Sequence, residues 1–209
     1  MKFYLSSFRV WDEENSKKLI ELVSKTNKRV AYINNALDWF TDEKKKEIDN
    51  RNFNDFEQFW LEIEQLNLIE YFGNQAELEK RLQSYDIIWV TGWNVFVLMQ
   101  AFHLSWFNNI IKEYILSNAD KLYWWYSAWG CVLWPTLAGY AIVDDSDSKP
   151  YWEQYDTIRE WLGVLDYCIA PHFQSNHHES EGILKEIELM KEKWIPYKAL
   201  RDWEVIIID

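Results

Sequence analysis

The amino-acid sequence predicts an α/β fold, a three-layer sandwich with a mostly parallel central sheet. Two strand-type apolar runs, Lys2–Ser6 and Arg29–Asn34, flank a segment, Asp12–Ser24, whose apolar residues recur at helical spacing. A strand, a helix and a second strand in this order indicate parallel strands that helices cover on both faces. The 209 residues are 48% apolar and can build a sizeable core, so residues 1–209 are predicted to form one domain.

The rest of the chain continues to alternate between helical and strand-type patterns. Asp86–Val90 (DIIWV) is typical of a buried strand, and the strict alternation of Leu61–Leu68 is typical of a half-exposed one. Six further segments have helical character: Thr41–Asn50, Phe53–Trp60, Gln75–Ser84, Val95–His103, Phe107–Ser117 and Glu179–Lys193. The remaining strand-type segments are Lys121–Tyr126, Leu165–Ala170, Tyr197–Leu200 and Glu204–Ile208.

Composition excludes several classes of partner. The formal net charge of −12 argues against a nucleic-acid partner, because binding a phosphate backbone depends on cationic side chains. No apolar run reaches the roughly 18 residues of a membrane span, and the opening MKFYLSSF lacks the pattern of a signal peptide. We therefore expect a cytoplasmic protein without a membrane partner. Cys131 and Cys168 lack metal-ligand spacing and are expected to be buried free thiols.

The segment Lys121–Pro135 (KLYWWYSAWGCVLWP) has the outline of a nucleophile elbow. In such an elbow a strand delivers a serine, here Ser127, to a tight turn so that its hydroxyl is exposed above the sheet. The elbow requires glycine two residues before and two residues after the serine, because its backbone is strained and closely packed. Trp125 and Trp129 occupy these positions. The segment therefore predicts Ser127 as a nucleophile, but the tryptophans at positions 125 and 129 conflict with the glycines that the elbow requires.

Four features follow predicted strands and are expected to meet at one edge of the sheet: Gly92-Trp93-Asn94, Ser127, His172 and Asp202. A nucleophile, a base and an acid at one site are the components of a Ser-His-Asp triad, which is defined by geometry and not by chain order. Taken singly, Ser127 is also explained as a helix cap, His172 as an ordinary loop histidine and Asp202 as a turn residue.

A metal site is not expected. His177, His178 and Glu179 are adjacent, but neighbouring histidines point to opposite sides in most backbones, and no third ligand has the spacing of a zinc site. We expect the two histidines to cap a helix and to line the site. The acidic segment that contains Asp144, Asp145 and Asp147 is expected to be a solvated loop, although one of these carboxylates could approach His172.

Five segments together resemble the peptidase E family, which comprises α-aspartyl dipeptidases and related serine peptidases. They are KFYLSSFR, DIIWVTGWNVFVL, YSAWGCVLWP, DYCIAPHF and ALRDWEVIII, which match the family in order and spacing, and the similarity extends over nearly the whole chain. The resemblance implies a class I glutamine amidotransferase-like (flavodoxin-like) fold. It also implies that Ser127 is the nucleophile, His172 the general base and Asp202 the acid, with Asp144 as an alternative third member of the triad.

The same resemblance assigns the rest of the site. The backbone N–H groups near Gly92 and Trp93, with that of Ala128, match the oxyanion hole, and Asn94 and His177 are expected to line the substrate pocket. No cofactor is implied. In aspartyl dipeptidases of the family, an arginine after the catalytic histidine is expected to hold the acidic side chain of the substrate. Residues 174–185 contain no arginine here, which weakens the expectation of strict specificity for aspartate.

Tryptophan occurs where the family has glycine. Twelve of the 14 tryptophans stand at such positions: 11, 60, 93, 106, 124, 125, 129, 134, 152, 161, 194 and 203. Glycine at these positions would raise the glycine count from 6 to 18, about 9% of the chain and near the usual level. We hypothesise that the gene comes from a lineage in which UGA encodes glycine and that it was translated as though UGA encoded tryptophan. The alternative is an inactive homologue with indole rings in its active site.

The sequence thus predicts a serine hydrolase that cleaves small peptides, acting as a monomer or homodimer. An amidotransferase-like hydrolase on the same fold is less favoured, because it would call for cysteine at position 127. A catalytically inactive binding or scaffold protein is the third hypothesis, and it applies if the tryptophans are real.

Overall fold

The computed structural model describes residues 1–8, 13–126, 132–134, 142–151 and 162–208. Its centre is a six-stranded sheet in the order β3-β2-β4-β5-β1-β8. The strands are β1 (Lys2–Ser6), β2 (Arg29–Ile33), β3 (Glu62–Gln65), β4 (Ile87–Val90), β5 (Leu122–Tyr126) and β8 (Val205–Ile208). Every neighbouring pair is parallel except β1 and β8, which are antiparallel. The mostly parallel sheet confirms the predicted fold class.

The described residues also contain six α-helices. They are α1 (Glu13–Ser24), α2 (Asp42–Phe56), α3 (Gln75–Leu82), α4 (Val95–Leu104), α5 (Phe107–Leu116) and α6 (Ser180–Glu192). Side-chain oxygens cap two helices that border the site: Thr41 Oγ1 accepts from the N–H of Lys44 before α2, and Asn94 Oδ1 accepts from the N–H of Val97 before α4. Among the described residues, no helix has both the length and the apolar character that crossing a membrane requires.

Two apolar clusters cover the two faces of the sheet, because successive side chains of a strand point to opposite sides. In β4, Ile88 and Val90 face the larger cluster, which includes buried residues of α3, α4, α5 and α6. Ile87 and Trp89 face the second cluster, which α1 and the end of α2 complete. Helices on both faces make the three layers that the sequence predicts.

A second, two-stranded sheet lies outside the main one. It pairs β6 (Cys168–Ala170) with β7 (Tyr197–Ala199) in parallel, with Ala170 opposite Ala199. The predicted strand Leu165–Ala170 is therefore shorter than expected, and it lies in this second sheet. The predicted helices Thr41–Asn50 and Phe53–Trp60 also differ from the structure, since α2 runs continuously to Phe56 and a 3₁₀ turn, Glu57–Phe59, follows it.

Candidate active site

The site lies at the edge where the parallel strands end. Ser7 follows β1, Thr91 and Gly92 follow β4, and residue 127 follows β5. Strands β1 and β5 are paired up to their last residues, because Ser6 is opposite Tyr126. Strand β5 therefore ends beside the last residue of β1, at the end where Ser7 follows. Ser127 and Ala128, the expected nucleophile and one expected oxyanion donor, lie outside the described residues.

The small sheet brings His172 and Asp202 to this edge. His172 comes two residues after Ala170 in β6, and Asp202 comes three residues after Ala199 in β7, the residue paired with Ala170. Hydrogen bonds keep the two chain segments together beyond the strands: the N–H of Leu200 donates to Ala170 O (2.8 Å), and the N–H of Phe173 donates to Leu200 O (2.9 Å).

Asp202 is hydrogen-bonded to the imidazole of His172. Its Oδ1 lies 2.7 Å from His172 Nδ1, and the histidine is fully buried. A carboxylate that accepts from Nδ1–H fixes the imidazole with Nε2 as the available base, which is the arrangement of a catalytic His-Asp pair. Asp144, the alternative acid, instead accepts a hydrogen bond at Oδ2 from the N–H of Val95 (2.9 Å).

Ser7 anchors His172 to the main sheet. Its Oγ accepts from the N–H of His172 (2.8 Å) and donates to Leu200 O (3.1 Å). His172 has a φ of +56°, in the left-handed region, where a non-glycine residue is strained by about 1–3 kcal/mol. Such strain persists where neighbouring contacts hold the residue in place, and Ser7 provides one of them. Ser7 was not predicted as a site residue, although its position directly after the strand β1 could have indicated it.

Burial lowers the pKa of His172 below its ordinary value of 6.5, and this effect outweighs the opposing influence of the Asp202 carboxylate. The imidazole is therefore neutral at pH 7, the state that a general base requires.

Two further side chains, His177 and Glu179, lie beside His172. The rings of His177 and His172 are stacked, with centroids 3.7 Å apart and planes within 9° of each other, and Phe8 packs edge-on against both. Glu179 Oε2 lies 3.8 Å from His172 Nε2 and 3.6 Å from His177 Nδ1. Burial and, secondly, the nearby imidazole of His172 lower the pKa of His177 to about 4, so His177 is uncharged at neutral pH. His177 thus lies next to His172, and Glu179, which the sequence suggested only as a possible metal ligand, is close to both rings.

Candidate metal-binding atoms of His172, His177 and Glu179 lie within 4.8 Å of one another. A metal ion coordinated by imidazole lies in the ring plane, along the nitrogen lone pair. Because the two rings are stacked, an ion in the plane of one lies outside the plane of the other. Coordination by both histidines would therefore require one ring to rotate out of the stack.

Three carboxyl groups near the histidines interact with one another: Glu186 is fully buried, and Asp144 and Glu179 are half-buried. Burial raises the pKa of Asp144 to about 8, and it also raises the pKa of Glu179. Glu186 in α6 is fully buried, neither of its carboxyl oxygens has a hydrogen-bond partner among the described residues, and its pKa is raised well above the ordinary value by burial and by the charges of Asp144 and Glu179. Asp144 is half-buried, which corrects the expectation that it lies in a solvated loop.

The turn after β4 supplies the third part of the site. Asn94, expected in the substrate pocket, uses its side chain within the protein: Oδ1 caps α4, and Nδ2 donates to Asp145 O (3.0 Å). Trp93 has a backbone φ of +118°, which residues other than glycine rarely adopt. Its ring packs edge-on against Phe40, with the ring centroids 5.4 Å apart.

Comparison with known proteins identifies the family. The profile of peptidase family S51 matches residues 4–209. The chain belongs to peptidase family S51. Among curated relatives, an uncharacterized peptidase of Listeria monocytogenes is 29% identical over 119 residues, 57% of this chain and 54% of the relative. An uncharacterized peptidase of Pasteurella multocida is 26% identical over 183 residues, 88% of this chain and 82% of the relative. The match thus spans about half the length of the Listeria relative.

Solved structures agree with the fold. A crystal structure of a candidate peptidase E from Listeria monocytogenes has a TM-score of 0.69 and 21% identity, covering 99% of this chain and 97% of that one. A peptidase from an acI-B1 actinobacterium has a TM-score of 0.53 and 14% identity, covering 88% and 74%. The resemblance to peptidase E proposed from five sequence segments is confirmed by the S51 profile and by the first of these structures.

Proposed function

We propose that this S51 protein is a serine hydrolase that cleaves small peptides, with Ser127 as nucleophile, His172 as general base and Asp202 as the acid. The observation that carries the proposal is the 2.7 Å hydrogen bond between His172 and Asp202, next to Ser7. Strand β5, which precedes Ser127, ends beside Ser7 in the register of the sheet. Three segments far apart in sequence thus converge on one edge.

The proposed reaction is acyl transfer to water. Nε2 of His172 takes the proton of the Ser127 hydroxyl while its oxygen attacks the peptide carbonyl, and the resulting imidazolium protonates the leaving amine. Asp202 holds the imidazole in the required tautomer and stabilises its positive charge. Water then hydrolyses the acyl-enzyme through the same base. Backbone N–H groups at Gly92, position 93 and Ala128 are the proposed oxyanion donors.

We propose further that the active protein has glycine at the twelve tryptophan positions, and we call these two versions the glycine form and the tryptophan form. Backbone conformation supports glycine at four of them: Trp60, Trp93, Trp106 and Trp194 have φ values of +54°, +118°, +63° and +56°. Only a few per cent of non-glycine residues adopt positive φ. Eight of the twelve positions have a described backbone, so half of those eight fall in this rare region.

Position 194 gives the clearest case. The N–H of Trp194 donates to Lys191 O (3.2 Å) and the N–H of Ile195 donates to Met190 O (2.9 Å), which is the Schellman pattern at the end of α6. The residue at this point of the pattern is left-handed and usually glycine. Trp194 is 92% exposed, so packing of its indole does not offset the strain.

One experiment tests the proposed function. Both forms are expressed from synthetic genes and treated with a fluorophosphonate probe, with Ser127→Ala as the control. We expect labelling of the glycine form and its loss in Ser127→Ala. An unlabelled glycine form would refute the nucleophile assignment. A panel of dipeptides then identifies the substrate. The recoding hypothesis is tested separately on the nucleotide sequence of the gene, and codons other than UGA at the twelve positions would refute it.

A second candidate function applies to the tryptophan form. The indole of Trp93 lies in the proposed oxyanion turn and packs against Phe40, where it would obstruct a substrate carbonyl. In this form the protein is a catalytically inactive binding or scaffold protein. Loss of one oxyanion donor alone typically lowers the rate about 10²- to 10³-fold. Labelling of the tryptophan form at the rate of the glycine form would argue against this alternative.

A further inference from the structure

We propose that His177 is a positioning residue, whose stacked ring holds the imidazole of His172 in the plane in which Nδ1 reaches Asp202. The two imidazole centroids are 3.7 Å apart, and the ring planes lie within 9° of each other. The proposal rests on the proposed function, in which His172 is the general base. It replaces the expectation that His177 lines the substrate pocket, because it assigns this side chain a contact with the base.

The hydrogen bond to Asp202 fixes one atom of the His172 ring but not the plane of the ring. It joins His172 Nδ1 to Asp202 Oδ1 at 2.7 Å. Rotation about the last side-chain bond of histidine has broad energy minima, so a second contact is needed to define the plane. His177 places a parallel ring against one face of His172, and Phe8 packs edge-on against both rings, at 72° and 64°. The direction of Nε2, the atom that takes the proton, therefore depends on His177.

His177 is itself held by the segment that connects β6 to α6. Its N–H donates to Ser175 Oγ (3.2 Å), and the same hydroxyl donates to His172 O (3.1 Å). The N–H of Glu179 donates to His177 Nδ1 (3.4 Å), which orients the ring and places the proton of the neutral imidazole on Nε2. Hydrogen bonds within residues 172–179 thus keep the two rings face to face.

The charge state of His177 is compatible with its place beside the base. His172 becomes a cation when it takes the serine proton, and a second positive charge stacked on it would oppose that transfer. Burial and, secondly, the charge of His172 lower the pKa of His177 to about 4, so His177 stays neutral. The other titratable groups that face the pair, among the described residues, are Asp202, His178 and Glu179.

Lining of the substrate pocket is the competing role for His177. Its side chain is 16% exposed, and the ring face that lies against His172 is closed to a ligand. Loss of a residue that only binds substrate raises KM and leaves kcat unchanged, whereas loss of a residue that positions the base lowers kcat. The two roles therefore predict different kinetics.

The kinetic test compares His177→Ala, which removes the stacked ring, with His177→Phe, which keeps an aromatic ring without nitrogens. Both variants are made in the glycine form and assayed on a dipeptide that this form hydrolyses. We expect His177→Ala to lower kcat about 10- to 100-fold and to change KM by less than about twofold, whereas His177→Phe should keep kcat within about threefold. His103→Ala, which changes an exposed histidine of α4, is the control and should leave both constants unchanged.

A second readout needs no turnover. The protein has four histidines, and NMR titration of their ring protons measures the pKa of each. Burial is the main cause that lowers the pKa of His172, and His177→Ala opens one face of that ring to water. The pKa of His172 should therefore rise toward 6.5 in His177→Ala and stay low in His177→Phe. None of the twelve tryptophan positions lies in residues 172–179, so both forms of the protein serve for this measurement.

Three results would overturn the proposal. They are a higher KM at unchanged kcat in both variants, an equal loss of kcat in both variants, and an unchanged pKa of His172 in His177→Ala. The first would return His177 to the substrate pocket, and the second would show that a ring nitrogen is needed and not the stacked ring. If His177→Ala does not fold, His177→Gln takes its place with the same expected results. An unlabelled glycine form would refute the proposed function, whereas the pKa of His172 reports on the stacked rings in either case.

Discussion

Substitution of Trp194 by glycine should stabilise the tryptophan form, although it removes an indole, the largest type of side chain. A left-handed backbone costs a residue with a Cβ about 1–2 kcal/mol, and glycine avoids this cost. The indole is 92% exposed, so little buried apolar area is lost with it. Glycine gives back about 0.5–1 kcal/mol through its greater freedom in the unfolded chain. The net gain is about 0.5–1 kcal/mol, which corresponds to a rise in Tm of about 1–4 °C.

Urea unfolding followed by circular dichroism measures this difference. Trp39→Gly is the matched control, because Trp39 is one of the two tryptophans not assigned to a glycine position. Its ring packs against Phe40 with centroids 4.4 Å apart and it is 43% exposed, so its removal should destabilise the protein by about 1 kcal/mol or more. A Trp194→Gly protein that is less stable than its parent, or that loses as much stability as Trp39→Gly, would refute the reasoning from backbone strain.

Three further predictions concern ionisable groups, two in catalysis and one in folding. Asp202→Asn in the glycine form should lower kcat/KM about 10³- to 10⁴-fold while leaving Tm nearly unchanged, and undiminished activity would exclude Asp202 from the triad. The acid limb of the pH profile of kcat/KM should lie below pH 6.5, because burial lowers the pKa of His172. In Asp202→Asn this limb should move to still lower pH, because the variant loses the carboxylate that raises the pKa of His172. Burial raises the pKa of Asp144 from 3.8 to about 8, so between these pH values the folded state keeps a proton that the unfolded state releases. The free energy of unfolding should therefore decrease as the pH rises from about 4 to 8. Asp144→Asn should make this decrease smaller in urea unfolding measured across that pH range.

The sheet could be predicted from local sequence because its strands are short apolar runs with few competing patterns. Lys2–Ser6 was predicted with its observed limits, and the strand at β4 differs by one residue. Errors occurred where local pattern does not decide. Thr41–Asn50 and Phe53–Trp60 were predicted as separate helices, yet α2 runs through residues 50–52, because hydrogen bonds from Tyr32 and Asn34 to Asp49 hold the helix against the sheet. The β6–β7 pair could not be derived, since strand partners depend on tertiary contacts.

The candidate site was predictable only in part, for a related reason. His172 and Asp202 were found because each follows a strand-type segment, and the rule that ligands bind at strand ends needs no coordinates. Ser7 was missed because serine is common in every loop, and its importance lies in its hydrogen bond with His172 N–H, 165 residues away.

Positive φ alone does not identify a position that should be glycine, and comparison of His172 with Trp194 shows what does. Both backbones are left-handed, with the same φ of 56°. The strain at His172 is held by contacts: its N–H donates to Ser7, its ring is hydrogen-bonded to Asp202, and its imidazole is stacked on His177. Strain that contacts compensate is typical of functional residues. The side chain of Trp194 is almost fully exposed, and burial of its indole offers no such compensation. The same φ therefore fits the proposed general base at one position and the proposed glycine at the other.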